Sequence, residues 1–181
     1  NGGFAAPYAI PVGTNPPQLV TPDFDGDGHT DLASANFNSN DVSVIKGSGF
    51  GGFAPAVNYP VAGSPSGLAT GDLDGDGDAD LVTANIYSGN LSILTGDGSG
   101  HFNPGPTVPA FGSPASVTIA DLNGDGNPDL IVPDASSANV AVHLGNSSGG
   151  FGPPTPYPVG GNSPRSAVSA DFNEDGFPDL A

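Results

Sequence analysis

Four nine-residue segments of the chain are rich in aspartate and share one pattern. They begin at Asp23, Asp72, Asp121 and Asp171 and read DFDGDGHTD, DLDGDGDAD, DLNGDGNPD and DFNEDGFPD. Each has an oxygen-bearing side chain at positions 1, 3, 5 and 9 and a glycine at position 6. Ca²⁺ takes about six to eight oxygen ligands, and alternating carboxylates on a tight loop can converge on one ion. The pattern therefore predicts about four calcium sites, one in each segment, and we call the segments loops 1 to 4.

The predicted ligands follow from the pattern, position by position. Position 1 is Asp23, Asp72, Asp121 and Asp171, and position 3 is Asp25, Asp74, Asn123 and Asn173. Position 5 is Asp27, Asp76, Asp125 and Asp175, and position 9, a candidate bidentate ligand, is Asp31, Asp80, Asp129 and Asp179. Variable side chains at position 7 fit a ligand that uses its backbone carbonyl, which would come from His29, Asp78, Asn127 and Phe177. In loop 4, Glu174 replaces glycine at position 4, and we expect its side chain to point outward.

Competing calcium and magnesium motifs fit the acidic loops less well. An EF-hand needs Glu at position 12 and helical flanks, whereas this chain has Ser34, Thr83 and Val132 there, with strand-like flanks. Nonapeptide calcium repeats recur every nine residues, which these loops do not. Mg²⁺ prefers few protein ligands and several waters. Solvated acidic turns remain the plain alternative, but they do not account for the same spacing in four loops.

The net charge of the chain is explained by these loops. Nineteen acidic residues face only Lys46 and Arg165, giving a formal charge of −17, and all acids except Asp41, Asp97 and Asp134 lie in the loops. Without a cation, such crowding raises carboxyl pKa values or opens the loop. So acidic a chain cannot neutralise phosphates, which excludes nucleic acid as a partner.

The absence of Cys excludes disulfides and thiolate metal sites. No apolar run approaches the ~20 residues of a membrane span, so we expect no membrane insertion.

The loops belong to a longer repeat. Proline recurs every 49 residues at Pro11, Pro60, Pro109 and Pro158, and phenylalanine does so at Phe4, Phe53, Phe102 and Phe151. The 29 Gly and 20 Pro therefore mark turns between short apolar runs and do not indicate a low-complexity sequence. Alternating runs such as Val42-Ser43-Val44 have the period of a strand, and no segment has a helical period over ten residues. Each repeat reads as four short strands, the content of one β-propeller blade.

These observations predict an all-β fold, a β-propeller of four-stranded antiparallel blades. We divide the single region 1–181 into a partial blade at 1–10, complete repeats at 11–59, 60–108 and 109–157, and a partial repeat at 158–181. Propellers close with about four to eight blades. We therefore expect an excerpt of a longer chain, or a protomer that completes its sheet with a neighbour by adding strands at its exposed edges.

The repeat resembles a known family. The pattern strand, D-x-[DN]-x-D-G-x-x-D-L, strand, hairpin, G-x-G-x-F is similar to the FG-GAP or VCBS-type repeats of integrin α-subunit propellers and many secreted bacterial proteins, and it covers essentially the whole chain. The resemblance implies a calcium-bound loop between the first two strands of each blade. It also implies that ligands use the opposite face, formed by the loops between blades and between strands two and three.

Three functions remain open at this level. The first is an extracellular or cell-surface, calcium-binding scaffold, without enzymatic activity, for binding or adhesion to protein or carbohydrate. The second is a structural surface or filament subunit, and the third is an accessory domain of a secreted enzyme. No acid and nucleophile flank His29, His101 or His143 in a recurring pattern, so we expect no enzyme activity.

Two further features of the sequence concern carbohydrate. Residues that could bind a sugar lie between strands two and three, although simple hairpin turns explain the same residues: Phe37, Tyr87, Asn36, Asn38, Asn85 and Asn90. Asn90 and Asn146 also match the glycosylation sequon.

Overall fold

The computed structural model describes residues 8–181, which form four consecutive sheets. Blade 1 comprises β1 (Gln18–Val20), β2 (Leu32–Asn36), β3 (Asp41–Ile45) and β4 (Val57–Pro60). Blade 2 comprises β5 (Pro65–Gly71), β6 (Asp80–Asn85), β7 (Asn90–Gly96) and β8 (Phe102–Pro109). Blade 3 comprises β9 (Thr118–Ala120), β10 (Asp129–Asp134), β11 (Asn139–His143) and β12 (Thr155–Pro158). A half-blade follows with β13 (Ser169–Ala170) and β14 (Asp179–Leu180).

Each complete sheet is an antiparallel meander in chain order, which confirms the predicted four-stranded blades. The 49-residue period is retained in the pairing register: Ser34 lies opposite Ser43 in blade 1, and Thr83 lies opposite Ser92 in blade 2. Of the partial blade predicted at 1–10, residues 8–10 form no strand and the remainder lies outside the described residues. No helix in residues 8–181 has the length and apolar character needed to cross a membrane.

The hydrophobic cores lie between blades rather than within them. One core joins blade 1 to blade 2 and includes Phe24, Val44, Leu81 and Phe102. A second core joins blade 2 to blade 3 in the same manner. Middle strands are therefore buried on both faces, whereas the outermost strand β12 is exposed along its whole length. A single blade has no core of its own, so neighbouring blades stabilise one another.

Serines on the third strands are buried, although the alternation of the sequence would place them on a polar face. Ser43 is inaccessible to solvent; it donates to Asn58 Oδ1 (2.8 Å) and accepts from Asn36 Nδ2 (2.8 Å). Ser92 likewise accepts from Asn85 Nδ2 (2.9 Å). The strands were predicted correctly, but they are buried on both faces, and the hydroxyls are satisfied by hydrogen bonds to neighbouring strands of the same sheet.

His143 is a buried polar residue at a position that is aliphatic in the other blades, where Ile45 and Leu94 stand 98 and 49 residues earlier. Its Nδ1 lies 3.1 Å from the carbonyl oxygen of Gly152, and its buried Nε2 has no hydrogen-bond partner among the described residues. Burial lowers the pKa of His143 below 6.5, partly opposed by the Gly152 carbonyl. The neutral ring is therefore the form compatible with the fold.

This burial predicts acid sensitivity in blade 3. Because the pKa of His143 is lower in the folded chain than in the unfolded chain, the unfolded chain binds the extra proton, and stability is lost as the pH falls below about 6.5. We expect His143→Leu to remove this loss, so that the difference in unfolding free energy between wild type and variant changes by about 1 kcal/mol or more between pH 7.5 and pH 5. Denaturant melts at both pH values measure it.

The exposed His101 provides the control, since its ring is exposed when the chain is folded. His101→Gln should keep the wild-type pH dependence. Equal pH dependence in wild type and His143→Leu would contradict the prediction.

Candidate metal centre

The four acidic loops occupy equivalent places at one end of the blades. Loop 1 (23–31) connects β1 to β2, loop 2 (72–80) connects β5 to β6, loop 3 (121–129) connects β9 to β10, and loop 4 (171–179) connects β13 to β14. In an antiparallel meander, the turns between the third and fourth strands lie at this same end. The turns between the second and third strands lie at the opposite end, with the connections between blades.

The aspartate at position 1 folds each loop around its own carboxylate. In loop 1, Asp23 Oδ1 accepts from the Gly26 N–H (2.9 Å) and Oδ2 accepts from the Gly28 N–H (2.8 Å). Gly28, at position 6, has φ +83°, a conformation that favours glycine. Loops 2 and 3 repeat both hydrogen bonds, from Gly75 and Gly77 to Asp72 and from Gly124 and Gly126 to Asp121.

Positions 3 and 5 each accept one backbone N–H from two residues further on. In loop 2, Asp74 Oδ1 accepts from Asp76 (3.3 Å), and Asp76 Oδ1 accepts from Asp78 (2.8 Å). Both carboxylates thus make Asx turns through one oxygen. Their Oδ2 atoms accept no hydrogen bond within the described residues, and carboxylate oxygens with free lone pairs are the ligands that a hard cation requires.

The aspartate at position 9 is buried and links the loop to the turn that follows the third strand. Asp80 Oδ2 accepts from the Leu73 N–H (2.8 Å), and Oδ1 accepts from the Gly96 N–H (2.8 Å). Asp31 and Asp129 make the same two bonds in blades 1 and 3, and all three are inaccessible to solvent. We call this pair of bonds the carboxylate clamp. It gives position 9 a structural role besides any role as a ligand.

The residue at position 2 anchors the loop in the core. Phe24 is buried and meets the ring of Phe102 edge-to-face, with centroids 5.0 Å apart. Leu73 is buried in the core between blades 2 and 3. Because the N–H of the same residue donates to the clamp, position 2 fixes both the backbone and the depth of the loop. Phe172 in loop 4 is exposed.

Loops 1 and 2 bring carboxylates close enough to share one cation. Oxygens of Asp23, Asp25 and Asp27 lie within 4.8 Å of one another, and those of Asp72, Asp74 and Asp80 do the same. Ligands on opposite sides of a Ca²⁺ ion at about 2.4 Å would be roughly 5 Å apart. The donor set consists of oxygen alone, and each oxygen that accepts an N–H keeps a second lone pair. The residues of these two loops therefore fit a hard divalent cation.

The carboxyl pKa values of the loops shift in different directions at the rim, which we define as positions 1, 3 and 5, and at the base, which is position 9. The Gly28 N–H is the main cause that holds the pKa of Asp23 below its usual value. The N–H of Asn127 and the side chain of Asn123 lower the pKa of Asp125. At the base of loop 2, burial raises the pKa of Asp80, and the nearby charges of Asp74 and Asp76 add to this against the two clamp bonds. A cation in loop 2 would relieve this crowding.

Loops 3 and 4 bring fewer carboxylates together than loops 1 and 2. Asn123 and Asn173 stand at position 3, and each accepts the N–H of position 5 at 2.9 Å, as the aspartates do. In loop 4, Asp179 accepts from the Phe172 N–H (3.1 Å) and has no second clamp bond within the described residues. Glu174 is exposed, as expected, with φ +62°.

Position 7 presents its N–H to position 5 in all four loops, and its side chains differ in their surroundings. His29 lies against Gly49 and Asp78 lies against Gly98, both in turns between third and fourth strands. The Asn127 side chain donates to Asp125 (2.8 Å), and Phe177 is exposed. The predicted use of the position 7 carbonyls as ligands stays a prediction.

The sequence prediction missed the glycine that donates to the clamp. Gly47, Gly96 and Gly145 lie at or just beyond the ends of the third strands at a spacing of 49 residues, so the repeat itself contained the signal. Each donates its N–H to position 9, and a Cβ at this glycine would overlap the carbonyl oxygen at position 8. Glycine is thus required because the turn approaches the loop backbone closely.

The opposite end of the blades presents aromatic residues where blades 1 and 2 meet. We call the contact between two neighbouring blades a seam. Phe37 and Tyr87, from the hairpin turns of blades 1 and 2, meet edge-to-face with centroids 5.6 Å apart. Tyr87 is 78% exposed, and the Ala110 N–H binds the Gly89 carbonyl, which brings the connection containing exposed Phe111 to the same turn. We call Phe37, Tyr87 and Phe111 the aromatic group.

Several polar residues predicted beside these aromatics are unavailable to a ligand. Asn36 and Asn85 are fully buried and donate to Ser43 and Ser92 inside the sheets, so they serve the fold. Asn90 is half-buried, and its side-chain oxygen accepts from Asn85 (3.0 Å). Asn38, in contrast, is exposed at this end. In blade 3, Asp134 takes the place of these asparagines. Burial raises the pKa of Asp134, but hydrogen bonds from Ser137, Ser136 and Ser113 outweigh this and lower it.

One side-chain cluster has the residue types of hydrolase chemistry but the wrong order. In the turn after β7, the Ser99 hydroxyl donates to Asp97 Oδ1 (2.6 Å) and lies 3.1 Å from His101 Nδ1. A serine nucleophile needs histidine as its base, with the acid beyond the histidine. Here the serine proton points to the carboxylate, and all three residues are exposed. The cluster is a hydrogen-bonded turn.

The clamp predicts which carboxylate matters for folding without metal. In excess chelator, we expect Asp80→Asn to lower the free energy of unfolding by about 1–3 kcal/mol, because the amide replaces one acceptor with a donor that faces a buried N–H. Asp74→Asn removes the same charge from the rim and should be neutral or slightly stabilising, since it relieves repulsion. Denaturant melts compare the two. Equal losses would show that position 9 has no special structural role.

Comparisons with known proteins agree with this architecture. A family model for the FG-GAP-like repeat matches residues 23–83 and again 72–132. A search of curated proteins found no match.

Solved structures similar to the chain include an Agrocybe aegerita lectin described as recognising non-reducing terminal N-acetylglucosamine (22% identity, TM-score 0.57, 88% of this chain and 44% of that one). They also include BBS1N in complex with ARL6DN (13% identity, TM-score 0.61, 88% of this chain and 48% of that one). A third is a Lactobacillus plantarum protein (19% identity, TM-score 0.61, 88% of this chain and 47% of that one).

These similarities lie below 25% identity and show the fold alone, a β-propeller. The chain spans less than half the length of the three structures. The family model, in contrast, covers residues 23–132, more than half of the chain, and its two matches overlap in register with loops 1 to 3. The chain belongs to the family of FG-GAP-like repeat proteins.

Proposed function

We propose that the chain is an extracellular or cell-surface, calcium-stabilised β-propeller module that binds a protein or carbohydrate ligand and has no catalytic activity. The observation that carries the proposal is the convergence of three carboxylates within 4.8 Å in loops 1 and 2. The repeated hydrogen-bond pattern extends the same construction to loops 3 and 4.

Calcium is the cation that the donor set favours. Every side chain predicted as a ligand binds through oxygen, which suits a hard cation, and no thiolate exists in the sequence. Ca²⁺ accepts more protein ligands and looser geometry than Mg²⁺. Extracellular calcium modules bind with Kd values of about 10⁻⁴–10⁻³ M, and we propose that these loops belong to that class. Such sites would be filled outside the cell, which is the basis for the proposed location.

The proposed absence of catalysis rests on the surroundings of the titratable groups. A carboxylate that coordinates Ca²⁺ is not free to act as a tuned acid or base. His143 is enclosed in the core, and His101 lies in an exposed turn beside a serine that donates to aspartate. None of these arrangements provides a base, a nucleophile and an oxyanion site around one reacting atom.

The ligand is proposed to bind at the end of the blades opposite the loops. The aromatic group lies there, on two hairpin turns and the connection between blades 2 and 3, and Asn38 beside Phe37 is exposed. Exposed aromatic rings beside amides can stack on sugars or contact protein, and large exposed aromatics mark interaction sites. A fold relative described as a lectin and another crystallised in a protein complex support a carbohydrate or protein as the class of ligand.

A structural role by self-association is the second candidate. The outermost strand β12 is exposed along its whole length and, among the described residues, pairs with β11 alone. Unpaired strand edges favour strand addition by another chain. Strand addition between two copies would join their sheets edge to edge.

Calcium should raise the melting temperature of the chain strongly. A site with calcium at about 100 times its Kd stabilises by about 2.7 kcal/mol, which corresponds to roughly 5–10 °C for a domain of this size. We expect Asp74→Ala to lose this increment for loop 2, because it removes the side-chain oxygen at position 3, which asparagine supplies in loops 3 and 4. Asp78→Ala removes the same charge from the same loop but leaves the backbone ligand, and should keep the increment. Thermal melts in calcium and in chelator measure it, and no calcium-dependent shift in wild type would refute calcium stabilisation.

The aromatic group should carry ligand binding. We expect Tyr87→Ala to reduce retention of the calcium-loaded chain on immobilised glycans that end in N-acetylglucosamine by about tenfold, because stacking of this kind contributes roughly 1–2 kcal/mol. Phe50→Ala is the matched control, since Phe50 is 97% exposed at the loop end of blade 1. If wild type is not retained, a carbohydrate of this class is excluded. Equal retention of Tyr87→Ala and wild type would place the ligand elsewhere.

A further inference from the structure

Lys46 lies beside loop 1 and joins two blades. It follows the last residue of β3, and its Nζ lies 3.3 Å from Asp25 Oδ2 at position 3 of the loop. The same ammonium group donates to the carbonyl oxygen of Ser99, in the turn between β7 and β8 of blade 2. The sequence has only two Lys and Arg residues, so one of its two permanent cations is placed at a predicted calcium ligand.

Blades 2 and 3 have no cationic residue at the position equivalent to Lys46. Thr95 and Leu144 stand 49 and 98 residues after Lys46. Between blades 2 and 3, the turn backbone at Gly149 lies directly against Asp74 of loop 2. Between blades 1 and 2, the equivalent Gly100 lies against the Lys46 side chain instead. Lys46 therefore occupies the space between loop 1 and the neighbouring turn.

The contact engages the oxygen that a metal would use. Asp25 Oδ1 accepts the Asp27 N–H (3.3 Å), which leaves Oδ2 as the oxygen without a backbone bond. The Lys46 ammonium faces this Oδ2, and the side chains are only 35% and 17% exposed for Lys46 and Asp25. A partly buried ion pair is screened less by water and salt than a fully exposed one. A cation entering loop 1 must therefore displace the ammonium group or bind against its charge.

We propose that Lys46 is an internal counter-ion that sets the calcium affinity of loop 1. It neutralises Asp25 when calcium is low and competes with Ca²⁺ when calcium rises, so loop 1 binds calcium more weakly than loop 2. The inference rests on the proposed calcium binding of the four loops, and it adds the order in which loops 1 and 2 bind calcium. Loop 2, which has no such cation, fills first.

The competition follows from elementary electrostatics. A unit positive charge a few ångströms from a divalent cation repels it even at the dielectric constant of water, and repels it more strongly in a partly buried site. Removal of the Lys46 charge should therefore tighten calcium binding at loop 1 by about three- to tenfold. A role confined to bridging the two blades makes the opposite prediction, because loss of the bridge would loosen loop 1 and weaken its calcium binding.

The experiment is a calcium titration of the 181-residue chain by NMR, with one reporter for each loop. The Gly28 and Gly77 amides donate to the position 1 carboxylates of loops 1 and 2, and Gly126 does so in loop 3. We expect a higher Kd at Gly28 than at Gly77 in wild type. In Lys46→Met, which keeps the alkyl stem against Gly100, the Kd at Gly28 should fall about three- to tenfold, with Gly77 and Gly126 changed less than about twofold.

Two control variants separate charge from position. Lys46→Arg keeps the charge and should keep the wild-type Kd at Gly28. Arg165→Gln removes one positive charge from an exposed site, so any general charge effect appears there equally at all three glycines. Thermal melts in chelator add a second measurement: Lys46→Met should melt lower than wild type, because loop 1 loses its counter-charge.

Each outcome decides the matter. An unchanged or higher Kd at Gly28 in Lys46→Met, with normal titration at Gly77, overturns the role of Lys46 and leaves the proposed calcium binding intact. A wild type in which none of the three glycines responds to calcium overturns the calcium proposal and this inference with it. A selective fall at Gly28 supports both.

Discussion

The structure depends on a buried carboxylate that accepts two backbone N–H groups from different parts of one blade. Asp31, Asp80 and Asp129 each accept the N–H of the second residue of the loop and that of the glycine at the end of the third strand. Buried carboxylates are costly unless their charge is met by donors, and the two short N–H bonds offset part of that cost, although burial still raises the pKa of Asp80. The clamp thereby closes the first, second and third strands around one point, and the loop geometry that could hold a cation is fixed from inside the protein.

The packing of blades follows from the same construction. Once the clamp has set the loop, the position 2 side chain is directed into the seam, where Phe24 meets Phe102 and Leu73 joins the next core. The blades have no separate cores, so the loops connect the chemistry of the carboxylates to the stability of the seams. A cation that relieves repulsion among rim carboxylates would therefore stabilise contacts between blades as well as the loop itself.

The sequence predicted what the repeat makes visible and missed what depends on neighbours. A spacing of 49 residues with turn residues between apolar runs was sufficient for four-stranded blades and for loops at one end of them. The burial of Ser43 and Asn36 was not predictable, because alternation within a strand does not reveal that both of its faces are covered in the folded chain. Position 9 was interpreted as a ligand, and its structural bonds required knowledge of which turn lies above the loop.

Departures from the repeat are what distinguish one blade from another. Lys46 stands where blade 2 has Thr95, His143 where it has Leu94, and Asp134 where it has Asn85. Each substitution places a charge or an ionisable group at a seam, a core or a hairpin, where its environment changes its effect. A perfect repeat would give loops of equal affinity and seams of equal stability. The departures place a counter-ion beside loop 1 and a buried histidine in the core of blade 3. If the proposals above hold, blade 1 differs from the others in its response to a cation and blade 3 in its response to pH.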